Sequence, residues 1–366
     1  MQTKKGKLTI IFGGQFGSEG KGRIAAHIAK KSLPGVAVRV GGPNAGHTFY
    51  MDNKEGNQVK VVVQTIPVAA MMGSMGYIGP AGMIIPELLI EELKAGFENL
   101  GKPVNLAIHT NAAVIRPEHQ GMESGLATSI GSTREGVGAC TAGKVMRDPK
   151  IVVGYDENKA ELLDAFTDHT TGRCFPWSRG VSFVSFDVPN LALLGGDDVM
   201  LEGTQGFGLS LHTGGFYPFC TSRECTPQAL LAETGTGPHN AQDVESIMVI
   251  RTYPIRVGGN SGPLANEITW DDLRDRTNGY VTTPERTTVT KKIRRIAEID
   301  RDLLRRAVMQ CGPTALAVNF LDYLFPELAN VNSVSLFPQS ALDYLQDLSN
   351  TLGVPVKYVS WGPMAD

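Results

Sequence analysis

Short runs of apolar and β-branched residues recur along the chain, and most of them have the composition of strands that are buried on both faces. These runs are Leu8–Phe12, Val36–Val40, Val59–Val63, Val152–Val153, Val181–Val184, Val199–Leu201, Ile247–Ile250 and Ala315–Phe320. Segments with apolar residues at helical spacing lie between some of them, at Gly22–Lys31, Pro86–Phe97, Ile299–Met309 and Ser340–Leu352. This alternation predicts an α/β fold in which a large, mostly parallel central sheet is flanked by helices.

Long connections rich in glycine, threonine and proline separate several of these elements, at 121–143, 203–238 and 257–290. Loops of this length in a compact protein are usually functional or mobile. No segment has the composition of an interdomain linker, and a chain of 366 residues can bury one large core. We therefore expect residues 1–366 to form a single domain, with small subdomain insertions around 121–150 and 257–300.

Composition argues against several classes of partner. The formal net charge of −3 provides no electrostatic footprint for nucleic acid or a membrane surface, so we expect neither as a partner. The run Leu8–Phe12 is too short for a signal peptide or a membrane span. The five cysteines form no C-x-x-C pair, and the seven histidines do not cluster with them at the spacing of zinc ligands. We expect reduced thiols in a cytoplasmic protein, in the host cytoplasm if the source is viral.

A glycine-dense loop follows the first apolar run and precedes the first helical segment. It reads Gly13-Gly14-Gln15-Phe16-Gly17-Ser18-Glu19-Gly20-Lys21-Gly22-Arg23. Glycines let the backbone approach phosphate oxygens, the start of the following helix offers free N–H groups, and Lys21 supplies positive charge. The loop departs from the standard P-loop, which requires glycine at the position of Gln15 and serine or threonine at that of Gly22. It therefore predicts a phosphate-binding turn of another kind.

A second glycine-rich segment, Gly41-Gly42-Pro43-Asn44-Ala45-Gly46-His47-Thr48, follows some twenty residues later. Together the two segments resemble the adenylosuccinate synthetase family, which opens with G-x-Q-[WF]-G-D-E-G-K-G-[KR] followed by N-A-G-H-T. The resemblance continues through later motifs as far as Pro363 and implies that family's fold, which is related to that of P-loop proteins. It also implies the family's reaction. The γ-phosphate of GTP activates the 6-oxygen of IMP, and aspartate then displaces phosphate at C6.

Ser18 departs from the family pattern, in which a catalytic aspartate takes the proton from purine N1. A serine hydroxyl is a poor base without an activating partner, and it removes an anionic ligand of Mg²⁺. Guanine carries a 2-amino group beside N1, where a small neutral residue leaves room and its oxygen accepts a hydrogen bond. Such a serine is what we expect of the phage-type relatives that act on dGMP. The expected reaction therefore joins L-aspartate to C6 of dGMP with hydrolysis of ATP, through a 6-phosphoryl intermediate, and gives N6-succino-2-amino-2′-deoxyadenylate.

Two alternatives remain open from the sequence. One is an adenylosuccinate synthetase that acts on IMP with GTP, and Ser18 counts against it. The other is a catalytically inactive, nucleotide-binding paralogue, which should have lost Lys21, His47 and the Thr287–Arg295 segment. The base that takes the N1 proton is also open, since Glu19, a water molecule or the substrate phosphate could serve.

The resemblance assigns catalytic roles to Ser18, Lys21 and His47, with His47 as the general acid at the developing O6–phosphoryl bridge. It implies Mg²⁺, held by the Gly46 carbonyl and Ser18. The expected ligands of the nucleoside triphosphate are Gly17, Glu19, Gly20, Lys21, Gly22, Gly46, Thr48, Asn319, Asp322, Gly362 and Pro363. Asp322 aligns with the family's guanine-reading aspartate, but Phe320 replaces the neighbouring lysine. An aromatic ring stacks on any purine, so we expect ATP as the donor and leave GTP possible.

The resemblance also assigns the two remaining substrates. The expected contacts to the substrate nucleotide are Ser18, Asn44, Ser132, Thr133, Arg147, Gln205, Thr221 and Val257. Those to L-aspartate are Thr288, Thr290, Lys292 and Arg294. Arg147 matches an arginine that reaches the phosphate bound by the neighbouring subunit, which implies that the active enzyme is a homodimer.

Overall fold

The strands of the protein are of two kinds, long buried ones and short peripheral ones. A computed structural model describes residues 4–287 and 291–362. Its strands are β1 (Lys7–Gly13), β2 (Val36–Val40), β3 (His47–Asp52), β4 (Gln58–Val63), β5 (Met75–Ile78), β6 (Met83–Ile84), β7 (Leu106–His109), β8 (Ala113–Val114), β9 (Thr167–Asp168), β10 (Arg173–Cys174), β11 (Val181–Val184), β12 (Val199–Gly203), β13 (Asp243–Arg251), β14 (Ile255–Arg256), β15 (Glu267–Ile268), β16 (Arg295–Ala297), β17 (Ala315–Asn319) and β18 (Val356–Val359).

The helices lie between these strands. They are α1 (Lys21–Lys31), α2 (Pro86–Leu100), α3 (Pro117–Met122), α4 (Leu126–Ser129), α5 (Val137–Val145), α6 (Asp156–Ala165), α7 (Val188–Gly195), α8 (Pro227–Thr234), α9 (Trp270–Arg276), α10 (Arg301–Cys311) and α11 (Gln339–Leu352). The four helices predicted from apolar spacing correspond to α1, α2, α10 and α11. No helix in the described part of the chain has both the length and the apolar character needed to cross a membrane.

A nine-stranded sheet forms the centre of the fold, in the order β11-β7-β5-β2-β12-β1-β13-β17-β18. Each pair of neighbours in this sheet is parallel. The predicted α/β fold with a large parallel sheet is therefore confirmed. Helical layers cover both faces, which explains why its inner strands are apolar throughout rather than alternating.

Successive residues of β1 point into two different core layers. Leu8 and Ile10 pack in the layer that also holds apolar residues of α7, α8, α10 and α11. Ile11 packs in the opposite layer, with residues of α1 and α2. This period of two fixes the register of β1, since a shift by one residue would exchange its two buried faces. The position of the loop that follows β1 is fixed with it.

Two of the predicted strands differ from the structure. Val59–Val63 lies in β4, which pairs antiparallel with β3 outside the central sheet. Val152–Val153 forms no strand and contributes only an isolated bridge between Val152 and Ala113, because a two-residue apolar run can bury Val153 from within a loop. The sequence patterns also missed β5, β7 and β18, of which β5 is interrupted by Gly76.

Smaller elements occupy the two segments where insertions were expected. Helices α4 and α5 fall within 121–150, and β15, β16 and α9 fall within 257–300. Strands β14, β16 and β15 form a separate three-stranded antiparallel sheet. The organisation of residues 1–366 as a single domain with insertions stays a prediction.

The carboxyl ends of the central strands define the place of the site. In the order of the sheet, β2 and β12 lie on one side of β1, and β13 and β17 lie on the other. Such an arrangement leaves a crevice outside the carboxyl ends of parallel strands, where open α/β sheets bind ligands. The loops that follow β1, β2, β12, β13 and β17 all open into this crevice.

Candidate active site

The glycine-dense loop connects β1 to α1 and exposes the start of that helix. Gly20 precedes α1 with a φ of 87°, and no side chain caps the helix at this end. A Cβ on Gly20 would lie 2.5 Å from Asn319 Nδ2, so only glycine fits there. The uncapped N–H groups and the positive end of the helix dipole together make a site for an anion.

The second glycine segment packs directly on this helix. A Cβ added to Gly22 would lie 2.8 Å from the Cβ of His47, so the missing side chain allows β3 to approach α1 closely. The backbone of this segment is held from behind by the buried Arg39, which donates to the carbonyls of Gln64 (2.7 Å) and Ala45. The two sequence motifs thus form one wall.

Lys21 and Glu19 form a buried ion pair inside the loop. Lys21 Nζ lies 2.6 Å from Glu19 Oε2 and also donates to the carbonyl of Gln205. The other carboxylate oxygen, Glu19 Oε1, accepts the N–H of Gly17 at 2.8 Å. The Glu19 side chain therefore faces the interior of the loop, so any contact of this residue with a triphosphate would come from its backbone.

His47 lies beside a buried carboxylate. Its Nδ1 is 3.5 Å from Glu202 Oε2, and Glu202 accepts the N–H groups of Val68 (3.0 Å) and Ala69 (3.2 Å). Burial raises the pKa of Glu202 to about 7. Burial, together with the cations Arg39 and Lys21, lowers the pKa of His47 well below its usual range. His47 is therefore neutral at pH 7 in the unliganded site.

A cleft of about 480 Å³ opens in front of these residues. It brings together predicted catalytic, phosphate-binding and aspartate-binding residues, namely Ser18, Gly20, Lys21, Gly22, Gly46, His47, Thr48 and Arg294. Lys60, Tyr50 and Tyr323 also line it, and the sequence had given none of these three a binding role. Phe320, expected to stack on the donor purine, lines it as well. Gly17 and Glu19 lie behind the wall rather than on it.

Three residues on the cleft wall have left-handed backbone conformations although none is glycine. The φ angle is 58° at Ser18, 63° at Gln205 and 60° at Phe320. Conformations of this kind cost on the order of 1–3 kcal/mol each and persist only where the surroundings hold them. Strain concentrated in one cleft is typical of a functional site.

A smaller cavity of about 170 Å³ adjoins the cleft and shares Asn44, Thr133 and Gln205 with it. Its lining includes most of the residues predicted to contact the substrate nucleotide, Asn44, Ser132, Thr133, Gln205, Thr221 and Val257. Ser18 lies on the cleft side of this boundary. The structure thus gathers residues from four separate loops at one place.

Arg256 and Phe16 line both cavities, and neither had been assigned a binding role. The Arg256 guanidinium lies 4.5 Å from the centre of the Phe16 ring and donates to the carbonyls of Phe219 (2.7 Å) and Pro263 (3.0 Å). Burial and the nearby Arg295 lower the pKa of Arg256 to about 10. The sequence R-V-G at Arg256 also occurs at Arg39, and this repeat is a sequence feature that could have indicated Arg256.

At the end of β17 the predicted donor residues take different positions. Asn319 is fully buried and donates to the carbonyl of Glu19 at 2.6 Å, so its side chain supports the glycine loop. Asp322 Oδ2 accepts the hydroxyl of Tyr280 at 2.8 Å, a contact that nothing in the sequence indicated. Gly362 lies near the end of the described residues, and Pro363 lies outside them.

The predicted aspartate loop is described only in part. Thr288 and Thr290 lie outside the described residues, and Lys292 is exposed. Arg294 lines the cleft and donates to Glu285 at 2.9 Å. Of the predicted aspartate ligands, Arg294 is thus the one that the structure places on the cleft wall.

Arg147 is remote from both cavities. It is exposed, directly after α5, with a φ of 64°. Large apolar side chains are exposed around it, with Met122, Val145 and Met146 each more than two-thirds accessible to solvent (73%, 71% and 80%). Exposed apolar side chains of this size are enriched at protein–protein interfaces.

No three Asp, Glu, His or Cys side chains of residues 4–287 and 291–362 converge as a metal site would require. Ser18 and Gly46, which carry a neutral hydroxyl and a carbonyl oxygen, line the cleft together with Lys21. These donors suit Mg²⁺ when nucleotide phosphates supply the remaining oxygens.

Comparisons with known proteins agree with this architecture. The family model for adenylosuccinate synthetase matches residues 10–171 and 185–330. The N6-succino-2-amino-2′-deoxyadenylate synthase of Acinetobacter phage SH-Ab 15497 is 35% identical, over 98% of this chain and 92% of that protein. The adenylosuccinate synthetase of Methanococcus aeolicus is 32% identical, over 97% and 96%. The succinoaminodeoxyadenylate synthetase of cyanophage S-2L, solved with dGMP and with dATP as energy donor, superposes with a TM-score of 0.77 at 29% identity, over 99% and 94%.

We predict that His47 stays neutral in the unliganded protein between about pH 6 and 8, because burial and two cations depress its pKa. The ¹⁵N chemical shifts of its imidazole should therefore stay in the range of a neutral ring at every pH in this interval. Replacing Lys21 with methionine removes one cation and should raise the pKa of His47. Imidazolium shifts of His47 within this interval in the wild-type protein would contradict the description of this site.

Proposed function

Because the chain belongs to the adenylosuccinate synthetase family of C–N bond-forming ligases, we propose that it joins L-aspartate to C6 of dGMP with hydrolysis of ATP. The products are N6-succino-2-amino-2′-deoxyadenylate, ADP and phosphate. The observation that carries this proposal is Ser18, a small neutral residue exposed in the cleft where the family pattern has an aspartate. Similarity to phage enzymes named for this reaction supports it.

The position of Ser18 suits a 2-amino purine. A nucleotide that fills the smaller cavity can extend its base past Thr133 and Gln205 into the cleft, where Ser18 lies. The Ser18 hydroxyl then accepts a hydrogen bond from the guanine 2-amino group. Hypoxanthine lacks that group and leaves the hydroxyl without this partner.

His47 and Glu202 suit the phosphoryl-transfer step. Glu202 lies at Nδ1 of His47, which leaves Nε2 for the substrate O6. A phosphate group bound near Lys21 offsets the positive charge that depresses the pKa of His47, so this pKa rises when the donor binds. His47 can then donate to the oxygen that bridges C6 and the transferred phosphoryl group.

Mg²⁺ is the expected metal. The Ser18 hydroxyl and the Gly46 carbonyl would hold it together with phosphate oxygens, and it would neutralise part of the phosphate charge. Because neither protein ligand is anionic, we expect the metal to depend more on the nucleotide phosphates than it would with an aspartate at position 18.

The first prediction for this function concerns Ser18. Phosphate release in the presence of L-aspartate, ATP and Mg²⁺ should be faster with dGMP than with IMP. Ser18→Asp should lower kcat/KM for dGMP at least about tenfold, because the larger aspartate side chain crowds the guanine 2-amino group. Hypoxanthine lacks that group and is not crowded in this way. Ser335→Asp, an equivalent change on an exposed loop, should leave kcat/KM unchanged.

Other outcomes of this assay identify the alternatives. Turnover with IMP that equals or exceeds turnover with dGMP would overturn the proposal in favour of an adenylosuccinate synthetase, which the 32% identity to the archaeal enzyme favours. Absence of turnover with either nucleotide, in protein that still binds dGMP, would indicate an inactive paralogue.

The hydrogen bonding of Asp322, a buried residue after β17, supports ATP over GTP. The Tyr280 hydroxyl donates a hydrogen bond to Asp322 Oδ2, and Asp322 Oδ1 has no hydrogen-bond partner among the described residues. Guanine presents a pair of donors, N1–H and the 2-amino group, which matches both oxygens of a carboxylate. Adenine presents a single exocyclic amine, which matches the one remaining oxygen.

Tyr280→Phe should therefore shift donor preference toward GTP, since it frees the second oxygen of Asp322. We expect the ratio of kcat/KM for ATP to that for GTP to fall at least about fivefold, with dGMP and aspartate at saturation. Tyr155→Phe, on an exposed helix start, is the matched control. An unchanged ratio would remove Tyr280 from donor selection.

We also propose a homodimer in which Arg147 of each protomer reaches the nucleotide phosphate of its partner. The exposed apolar cluster of Met122, Val145 and Met146 beside Arg147 supports this arrangement. A second copy would bury this cluster while carrying Arg147 into the facing cavity.

Complementation tests the arrangement directly. Arg147→Ala and Lys21→Ala should each be inactive alone, because each lacks one part of the site. After mixing and subunit exchange, heterodimers contain one intact site, so activity should return to about one quarter of the wild-type value. Lack of recovery in a mixture shown to contain heterodimers would place Arg147 outside the partner's site.

A further inference from the structure

Arg251 is a fully buried cation that lies behind the wall of the cleft. It ends β13, and its side chain has no exposed surface. The side chain of Gln15 fixes its backbone, because Gln15 Oε1 accepts the Arg251 N–H (2.9 Å) and Gln15 Nε2 donates to the Arg251 carbonyl (3.0 Å). The backbone of Arg251 is therefore bound to the glycine-dense loop, in addition to the contacts that its guanidinium makes.

The Arg251 guanidinium contacts three residues that line the cleft. Nη1 lies 3.2 Å from Glu285 Oε2 and Nη2 donates to Glu285 Oε1, which makes the pair bidentate. Nη1 also lies 3.3 Å from the carbonyl of Ser18, and the guanidinium carbon is 4.0 Å from the centre of the Phe320 ring. Through these contacts one buried group touches three different loops.

Two of these partners are the strained residues Ser18 and Phe320. Backbone strain persists only where neighbouring groups hold it. Arg251 holds Ser18 by donating to its carbonyl. It holds Phe320 through a cation–π contact with the ring.

The third partner, Glu285, also binds a second arginine. Glu285 accepts from Arg251 and also from Arg294 (2.9 Å), which lines the cleft. Although burial acts to raise the pKa of Glu285, the two arginines hold it at about 2. The carboxylate is thus ionised at neutral pH and orients Arg294 toward the cleft.

We propose that Arg251 is a positioning residue that sets the loop of Ser18, the ring of Phe320 and, through Glu285, the guanidinium of Arg294 in one mutual geometry. It touches no substrate itself. The inference rests on the proposed function in that Phe320 faces the donor base and Arg294 the aspartate. It adds that the donor site, the aspartate site and the purine-reading residue Ser18 share a single buried support, whereas the cavity around Thr133 and Thr221 does not.

Steady-state kinetics of Arg251→Lys test this. Lysine keeps the charge but loses the bidentate fork and the planar contact with Phe320. We expect a folded protein in which KM for aspartate and KM for ATP each rise at least about fivefold, and in which the preference for dGMP over IMP falls because the Ser18 loop loses its support. Arg306→Lys, at another arginine that bonds backbone carbonyls near an aromatic ring, should leave all three values unchanged.

A merely structural role would give a different result. It would lower the amount of active protein, and hence kcat, with KM for aspartate, KM for ATP and the preference for dGMP over IMP all unchanged. This result overturns the proposal. If Arg251→Lys does not fold, Glu285→Gln takes its place, because it keeps the shape of the side chain. This variant should raise KM for aspartate and leave KM for dGMP unchanged, and equal effects on both would overturn the proposal.

Failure of the proposed function can be distinguished from failure of this inference. Wild-type protein without aspartate-dependent turnover of dGMP would refute that function. Calorimetric titration of wild-type protein and Arg251→Lys with ATP and Mg²⁺ still tests the support of Phe320 and Ser18. A fivefold or larger loss of ATP affinity supports it, and equal affinities overturn it.

Discussion

Close approach of backbone segments is the constraint on which the site depends. The glycine-dense loop after β1 touches Asn319 at Gly20 and His47 at Gly22, and in both places a Cβ would overlap its neighbour. These contacts set the distances between the ends of β1 and β17 and the start of β3. The geometry of the cleft therefore depends on the absence of a Cβ at Gly20 and Gly22 as much as on the side chains that are present.

The fold could be predicted from the sequence where burial on both faces makes strands continuously apolar, as in β1, β2 and β17. It could not be predicted where a glycine interrupts the run, as in β5, or where a short run such as Val152–Val153 is buried in a loop. Periodicity reports burial, and burial does not distinguish a strand from a well-packed loop.

The candidate site was predictable to the extent that its residues follow glycine-rich motifs. Asn44, Thr133 and Gln205 line the same cavity, and two of them, Asn44 and Gln205, follow the carboxyl ends of β2 and β12. Tyr280 and Arg251 were missed, since a tyrosine in a polar loop and an arginine at a strand end carry no local signal. The partners that make them informative, Asp322 and Glu285, are distant in sequence and meet them only in the folded chain.

The ion pair between Lys21 and Glu19 has a consequence for the ligand that the loop accepts. In the structure the lysine is neutralised by a carboxylate of the same loop. An anion that bound here would have to exchange with that carboxylate, and so it would meet an intramolecular competitor at fixed high local concentration. A singly charged anion would exchange poorly, whereas a polyphosphate would gain several contacts at once along the start of α1. The ion pair therefore favours multiply charged anions at this loop.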